Sequence, residues 1–214
     1  MIVPDKSFWD IFKNTDGALS CSEAIALYNI ALSSPNGLFL ELGSHKGKSS
    51  QCIALAVSKL KEKGTFIAVE PEFSNEEWRN NFIKIIGRML PASGFCYHID
   101  YSLNVIPKYD NYSFVFIDSG SHSDDLVMSE SKMLEDKIEK DGIICYHDKG
   151  SQFIRVDEAY KYLLSTGKYE EIKIDWRHIF DYVKENNLEE GNQSWHQYPD
   201  LPHPPNFIGA VIRK

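Results

Sequence analysis

Short apolar runs recur along the chain: Leu38-Phe39-Leu40 with Leu42, Phe66 to Val69, Phe114 to Ile117, and Ile143 to Tyr146. Runs this short, bounded by turn residues and separated by longer mixed stretches, predict buried strands alternating with helices. Strands are expected near 37–42, 65–69, 95–100, 112–117 and 142–147, and helices near 48–62, 75–90, 123–139 and 153–165. A leading helix is expected over 20–33, opened by Ser20-x-x-Glu23, which reads as a capping box, within a helical segment spanning 1–34. Tyr169 to Ile174 and Phe207 to Ile212 read as two last strands. Regular alternation of this kind implies an α/β, doubly wound, mostly parallel sheet of seven strands, with helices on both faces and the strands' carboxyl ends gathered at one edge.

Composition narrows the partners. A chain of 214 residues, 43% hydrophobic and 13% aromatic, can bury a full core as one domain covering 1–214. Its net charge of −8 offers no basic face for phosphates, so neither nucleic acid nor an anionic membrane is expected as partner, and a small molecule is. The opening stretch to Gly17 is mixed in charge and broken by Pro4, unlike a signal peptide, and no apolar run reaches the roughly 20 residues that span a bilayer. A cytoplasmic location is the expectation. Cys21, Cys52, Cys96 and Cys145 form no C-x-x-C pair, so buried free thiols are expected rather than zinc or disulfides.

The candidate chemistry begins at Glu41-Leu42-Gly43-Ser44-His45-Lys46-Gly47-Lys48-Ser49, where a strand ending in a carboxylate runs through two glycines into a helix. Gly43 and Gly47 let the backbone turn sharply and approach a ligand, and the next helix turns its first N–H groups to the same space. A P-loop needs one more residue between its glycines, and a dinucleotide fingerprint needs a third glycine and tolerates Glu41 poorly. S-adenosylmethionine carries a sulfonium and an ammonium, which a carboxylate attracts. A plain structural turn is the bland alternative, equally common for an isolated short motif. Downstream, Thr65 to Val69 ends in Glu70-Pro71, which sets a second carboxylate at the edge of the neighbouring strand, where it can accept ribose hydroxyls.

With these motifs, Phe114-Val115-Phe116-Ile117-Asp118-Ser119-Gly120-Ser121-His122 and Gly142-Ile143-Ile144-Cys145-Tyr146-His147-Asp148 follow in order. On that series the chain, from about Ser20 to Lys214, resembles the class I S-adenosylmethionine-dependent methyltransferases. More narrowly it is similar to the macrocin and sugar O-methyltransferase group. The resemblance implies a Rossmann-like fold with an antiparallel terminal hairpin. It implies S-adenosylmethionine as cofactor, held by Glu41, Gly43, Ser44, Gly47, Ser49, Glu70, Asp100, Ser102 and Asp118. Asp100 after a strand is also an ordinary turn residue.

Two roles compete for the later strand ends. In metal-dependent relatives, carboxylates at the positions of Asp118 and Asp148 hold Mg2+, which lowers the pKa of the hydroxyl to be methylated. Lys149 stands where the catechol-type pattern has Asn, which weighs against a cation. The metal-free role makes His122 or His147 the general base, histidine having a pKa near operating pH. The turn from Asp118 to His122 is one residue longer than the family's, and His122 as a helix cap or His147 as an ordinary strand-end histidine are the bland readings.

Asp175 to Asn206 interrupts the terminal hairpin with Trp176, His178, Phe180, Tyr182, Trp195, His196 and a Pro199/Pro202/Pro204/Pro205 cluster, and reads as a cap insertion. Aromatic faces with interleaved histidines suit a sugar or an aromatic ring; a dimer contact, and so a homodimer, is the other use of such a surface. The resulting expectation is O-methylation of a hydroxyl on a small sugar-like or polyol metabolite. Its rivals are a nicotinamide-dependent oxidoreductase and a non-catalytic cofactor-binding protein.

Overall fold

The computed structural model describes residues 1–62, 64–120, 125–150, 153–188 and 208–214. Its sheet has seven strands, β1 (Leu38–Leu42), β2 (Thr65–Val69), β3 (Phe95–His98), β4 (Tyr112–Ile117), β5 (Ile138–Tyr146), β6 (Tyr169–Ile172) and β7 (Gly209–Arg213), in the order β3-β2-β1-β4-β5-β7-β6. Pairings are parallel from β3 through β5, and β7 is antiparallel to both β5 and β6, the expected terminal hairpin. The helices are α1 (Lys6–Phe12), α2 (Cys21–Ser33), α3 (Lys48–Lys59), α4 (Glu76–Ile86), α5 (Ser102–Val105), α6 (Leu126–Leu134), α7 (Ile154–Ser165) and α8 (Trp176–Glu185). Among the described residues no helix is long and apolar enough to cross a membrane.

Side chains alternate across the pleat, so each strand feeds two cores. Phe39, Phe66, Phe114, Phe116 and Cys145 face α1, α2, α3, α4 and α8. Leu40, Leu42, Ile67, Val115, Ile117 and Ile144 face α5, α6 and α7. Helix α2 is buried almost all round, with Ala24, Ile25, Ala26, Leu27 and Ala31 at most 1% exposed, because α3 and α8 cover what the sheet leaves. Its start is the expected capping box: Ser20 Oγ accepts from the Glu23 N–H at 2.9 Å, and Glu23 Oε2 accepts from the Ser20 N–H at 2.8 Å. The amino-terminal segment also carries α1, whose Phe8, Trp9 and Phe12 enter the first core.

The end of α6, the start of β5 and the end of β3 differ from the sequence expectation for local reasons. The helix expected to run to 139 stops at Leu134, and β5 already begins at Ile138. Asp141 is left-handed at φ 63°, and the register against β4 jumps from Tyr112–Ile138 to Phe114–Ile143, so Asp141-Gly142 forms a bulge within the strand rather than the turn before it. Strand β3 ends at His98 instead of 100 because Asp100 accepts from the Tyr101 N–H at 2.8 Å and turns the chain into α5. Since β3 is an edge strand, Cys96 is exposed, not buried as expected; Cys21, Cys52 and Cys145 are buried.

The strand order reverses between β1 and β4, whose chain neighbours lie on opposite sides. That switch point is where an open α/β sheet leaves a crevice at its carboxyl edge.

Candidate active site

Beyond the last ladder rung the loops stay in step with the sheet. The Gly43 N–H donates to Val69 O at 3.0 Å, the Glu70 N–H to His98 O at 3.0 Å, the Asp118 N–H to Leu42 O at 2.9 Å, and the His147 N–H to Ile117 O at 3.0 Å. Glu70, Gly43, Asp118 and His147 therefore stand in a row along the carboxyl edge. At Gly43, φ is +88° and a Cβ would lie 2.2 Å from the Asp118 carbonyl oxygen, so the turns after β1 and β4 touch and only glycine fits.

Against this row lies a cavity of about 650 Å3. One wall carries Gly43, Ser44, Ser49, Glu70 and Ser102, a second Asp118, Ser119, His147 and Asp148, and the third is the stretch Asp16–Leu19 just before α2, with Lys46 and Lys48 beside it. Glu70 is nearly buried and braces the glycine loop: Oε2 accepts from the His45 N–H at 2.7 Å and Oε1 from the Glu72 N–H at 3.0 Å. Gly47 opens α3 in the left-handed region, and no side chain caps that helix. Lys46 pairs with Asp16 at 2.7 Å, and the Lys48 ammonium donates to Gly17 O at 3.3 Å over the Phe12 ring, where burial lowers its pKa.

The second wall gathers ionisable groups. Nδ1 of His147 is 3.0 Å from Asp118 Oδ1 and 3.5 Å from Asp148 Oδ2, and its Nε2 is 3.6 Å from Glu23 Oε1. Burial works against a charged imidazole here, yet Asp118, Asp148 and Glu23 outweigh it and hold the His147 pKa well above its ordinary value. Asp148 itself is left-handed at φ 59°, backbone strain of the kind that collects at functional sites.

Residues 40–149 match the model of a methyltransferase-domain family. The chain belongs to that family. Solved structures share its fold: the O-methyltransferase TomG from Streptomyces achromogenes, involved in tomaymycin synthesis and solved in complex with SAM, is 11% identical over 100% of this chain and 92% of its own, with a TM-score of 0.67. The O-methyltransferase from Bacillus cereus, solved in complex with SAH, is 12% identical over 100% of this chain and 94% of its own, with a TM-score of 0.65. At such identities the likeness is one of fold. No curated protein matches the chain significantly.

In this methyltransferase the sequence-predicted site residues divide. Gly43, Ser44, Ser49, Glu70, Ser102, Asp118, His147 and Asp148 all line the cavity, and Gly47 shapes its rim. Glu41 does not reach it. Its carboxyl is fully buried beneath the glycine loop, hydrogen-bonded to Ser50, with the Ser44 hydroxyl facing it without completing a hydrogen bond. Burial pushes the Glu41 carboxyl up to about 7 against the hydroxyls, so it supports the loop from below rather than touching a ligand. Asp100 is also turned away, its carboxylate taken by the Tyr101 N–H, Asn104 and Lys108, which lower its pKa. His122 lies outside the described residues, as do 189–206 of the expected cap, while Asp175 caps α8 at the start of that segment. Lys149 is directed off the cluster, over the Tyr160 ring and 4.0 Å from Glu171, so it does not crowd Asp118 and Asp148.

Two contributors were missed from sequence. The Asp16–Leu19 wall carries no motif. Glu23 was read as a cap alone, since only the fold brings residue 23 to residue 147.

Proposed function

We propose that the chain is an S-adenosylmethionine-dependent methyltransferase that methylates a hydroxyl of a small sugar-like or polyol metabolite, akin to the macrocin and sugar O-methyltransferase group. The observation that carries this reading is the row of strand-end groups at the switch point, with the glycine cradle on one side of the cavity and three ionisable side chains on the other. Gly43 leaves room for no side chain, Glu70 presents a nearly buried carboxylate with lone pairs to spare for ribose hydroxyls, and Ser102 supplies a further hydroxyl. The acidic second wall complements a sulfonium. Bound S-adenosylmethionine supplies a methyl group already activated on sulfur, so what remains for the protein is alignment and a deprotonated acceptor.

Both nitrogens of His147 face carboxylates, which argues for His147 as a holder of Asp118 and Asp148 rather than as the base that takes the acceptor proton. The three side chains also offer one ligand atom each within 4.8 Å of one another. Neighbouring ligands around one ion with bonds of about 2.1 Å stand about 3 Å apart, close to the separations found here. Asp118, His147 and Asp148 would thus hold a divalent cation, Mg2+ or a first-row ion, which lowers the pKa of a bound hydroxyl. Asp16, Lys46 and Lys48 on the third wall supply hydrogen bonds suited to a polyhydroxylated acceptor.

Calorimetric titration of the metal-stripped protein with S-adenosylmethionine tests the cofactor. Saturable wild-type binding supports the reading, its loss in Gly43→Val counting only where that variant is shown to be folded; no binding by a folded wild-type protein removes it. Binding without methyl transfer to any hydroxylated acceptor, with or without divalent ions, would favour a non-catalytic protein.

A further inference from the structure

We propose that Glu23 is the positioning residue of the Asp118–His147–Asp148 cluster: it takes the N–H of His147 Nε2, turns the bare Nδ1 toward the two aspartates, and so builds a site that binds Mn2+ in preference to Mg2+. The proposal deepens the metal part of the reading above and rests on it.

Glu23 and His147 are 3% and 6% exposed. One Glu23 oxygen is committed to the capping box, accepting from the Ser20 N–H at 2.8 Å. The other, Oε1, is buried without a hydrogen-bond partner, and so is His147 Nε2, and the two atoms are 3.6 Å apart. Two buried orphans of opposite character facing each other are costly unless each serves the other, and a shift of a few tenths of an ångström closes the bond. A neutral imidazole carries one proton, so Nε2–H toward Glu23 leaves Nδ1 as a lone pair. Nδ1 lies 3.0 and 3.5 Å from Asp118 Oδ1 and Asp148 Oδ2, so without an ion it carries a proton shared with Asp118, and with an ion bound it would give its lone pair to that ion. Histidines that bind metals commonly donate their other ring N–H to a carboxylate, which fixes tautomer and ring plane. One nitrogen beside two carboxylate oxygens suits a borderline first-row ion, whereas Mg2+ favours oxygen alone. The ion displaces any proton held between Nδ1 and Asp118.

Glutamine at the third helical position preserves a capping box, so Glu23→Gln keeps the α2 start while presenting an amide N–H to Nε2, which forces the proton onto Nδ1. The metal-stripped wild type, Glu23→Gln and His147→Asp are titrated with Mn2+ and, separately, Mg2+ by calorimetry. Pulsed electron paramagnetic resonance of bound Mn2+ reports whether an imidazole nitrogen is coordinated. The expected result is tighter binding of Mn2+ than of Mg2+ by wild type, with an imidazole coupling that His147→Asp lacks. Glu23→Gln should melt like wild type but bind Mn2+ about 10- to 100-fold more weakly. Unchanged Mn2+ affinity in Glu23→Gln makes Glu23 a helix cap only and overturns the proposal. So does Mn2+ bound without the nitrogen coupling, equal or tighter Mg2+ binding, or no ion bound at all. S-adenosylmethionine titration of the same preparations stands or falls separately, which distinguishes failure of this proposal from failure of the methyltransferase reading.

Discussion

Glu41 and Gly43 sit two residues apart and were legible to very different degrees. The glycine could be read from the sequence because its constraint is local: φ of +88° and no room for a Cβ. The glutamate could not, because its partners and its burial arise only when α3 folds back over β1. An unfolded glutamate titrates near 4.5, whereas the folded Glu41 is pushed up to about 7, so the fold favours the protonated form. Its contribution to stability is fully present below 4.5 and is lost as pH rises through 7. Glu41→Gln, which cannot ionise, should therefore gain stability relative to wild type between pH 5 and 8, by at most about 3 kcal/mol. Chemical denaturation at several pH values measures this; a constant difference across that range would mean that Glu41 is not protonated in the fold. Gly43→Ala should lower the denaturation midpoint as well as cofactor binding, since the clash with the Asp118 carbonyl is present with or without ligand.

Elements with strong periodicity or a capping signature were found in sequence, and those made by long-range packing were not. The capping box of α2 is an instance of the first kind: Ser20→Ala should cost about 1 kcal/mol, seen as a lowered melting temperature. Helix α8, an exception, carries both an amphipathic stripe and an Asp175 cap, yet it falls inside the segment read as an insertion. Its Ile179 and Val183 pack into the core beside α2. Ile179→Ala should accordingly destabilise by roughly 2–4 kcal/mol, as a core truncation does, where a loose cap would give a change near zero. The bulge in β5 escaped sequence reading because Asp-Gly signals a turn wherever it occurs. Only the neighbouring strand decides whether that turn lies before the ladder or within it. A Cβ at Gly142 would meet the Tyr112 carbonyl oxygen at 2.8 Å, so the bulge and β4 are fitted to each other.

Across the whole molecule, the cavity is bounded by parts of unequal rigidity. The strand-end walls are continuous with the sheet, while Asp16–Leu19 is joined to the glycine loop through exposed or half-buried contacts such as Lys46–Asp16. An ion pair that exposed contributes at most about 1 kcal/mol. Asp16→Asn should then leave the melting temperature and S-adenosylmethionine affinity nearly unchanged and alter KM for the acceptor, which steady-state kinetics would separate. A fall in cofactor affinity instead would assign that wall to the cofactor.

This asymmetry bears on how such a protein changes over generations. The turns after β1 and β4 are in van der Waals contact, so neither can drift without the other. In the Asp16–Leu19 stretch, Gly17 is held by its φ of +146° and by Lys48, and Leu19 by the core, whereas Asp16 carries no such obligation. Substitution of Asp16 alters the shape of that wall while every strand end keeps its place. If that wall faces the acceptor, the position of Asp16 is where its shape can change at least cost to the fold.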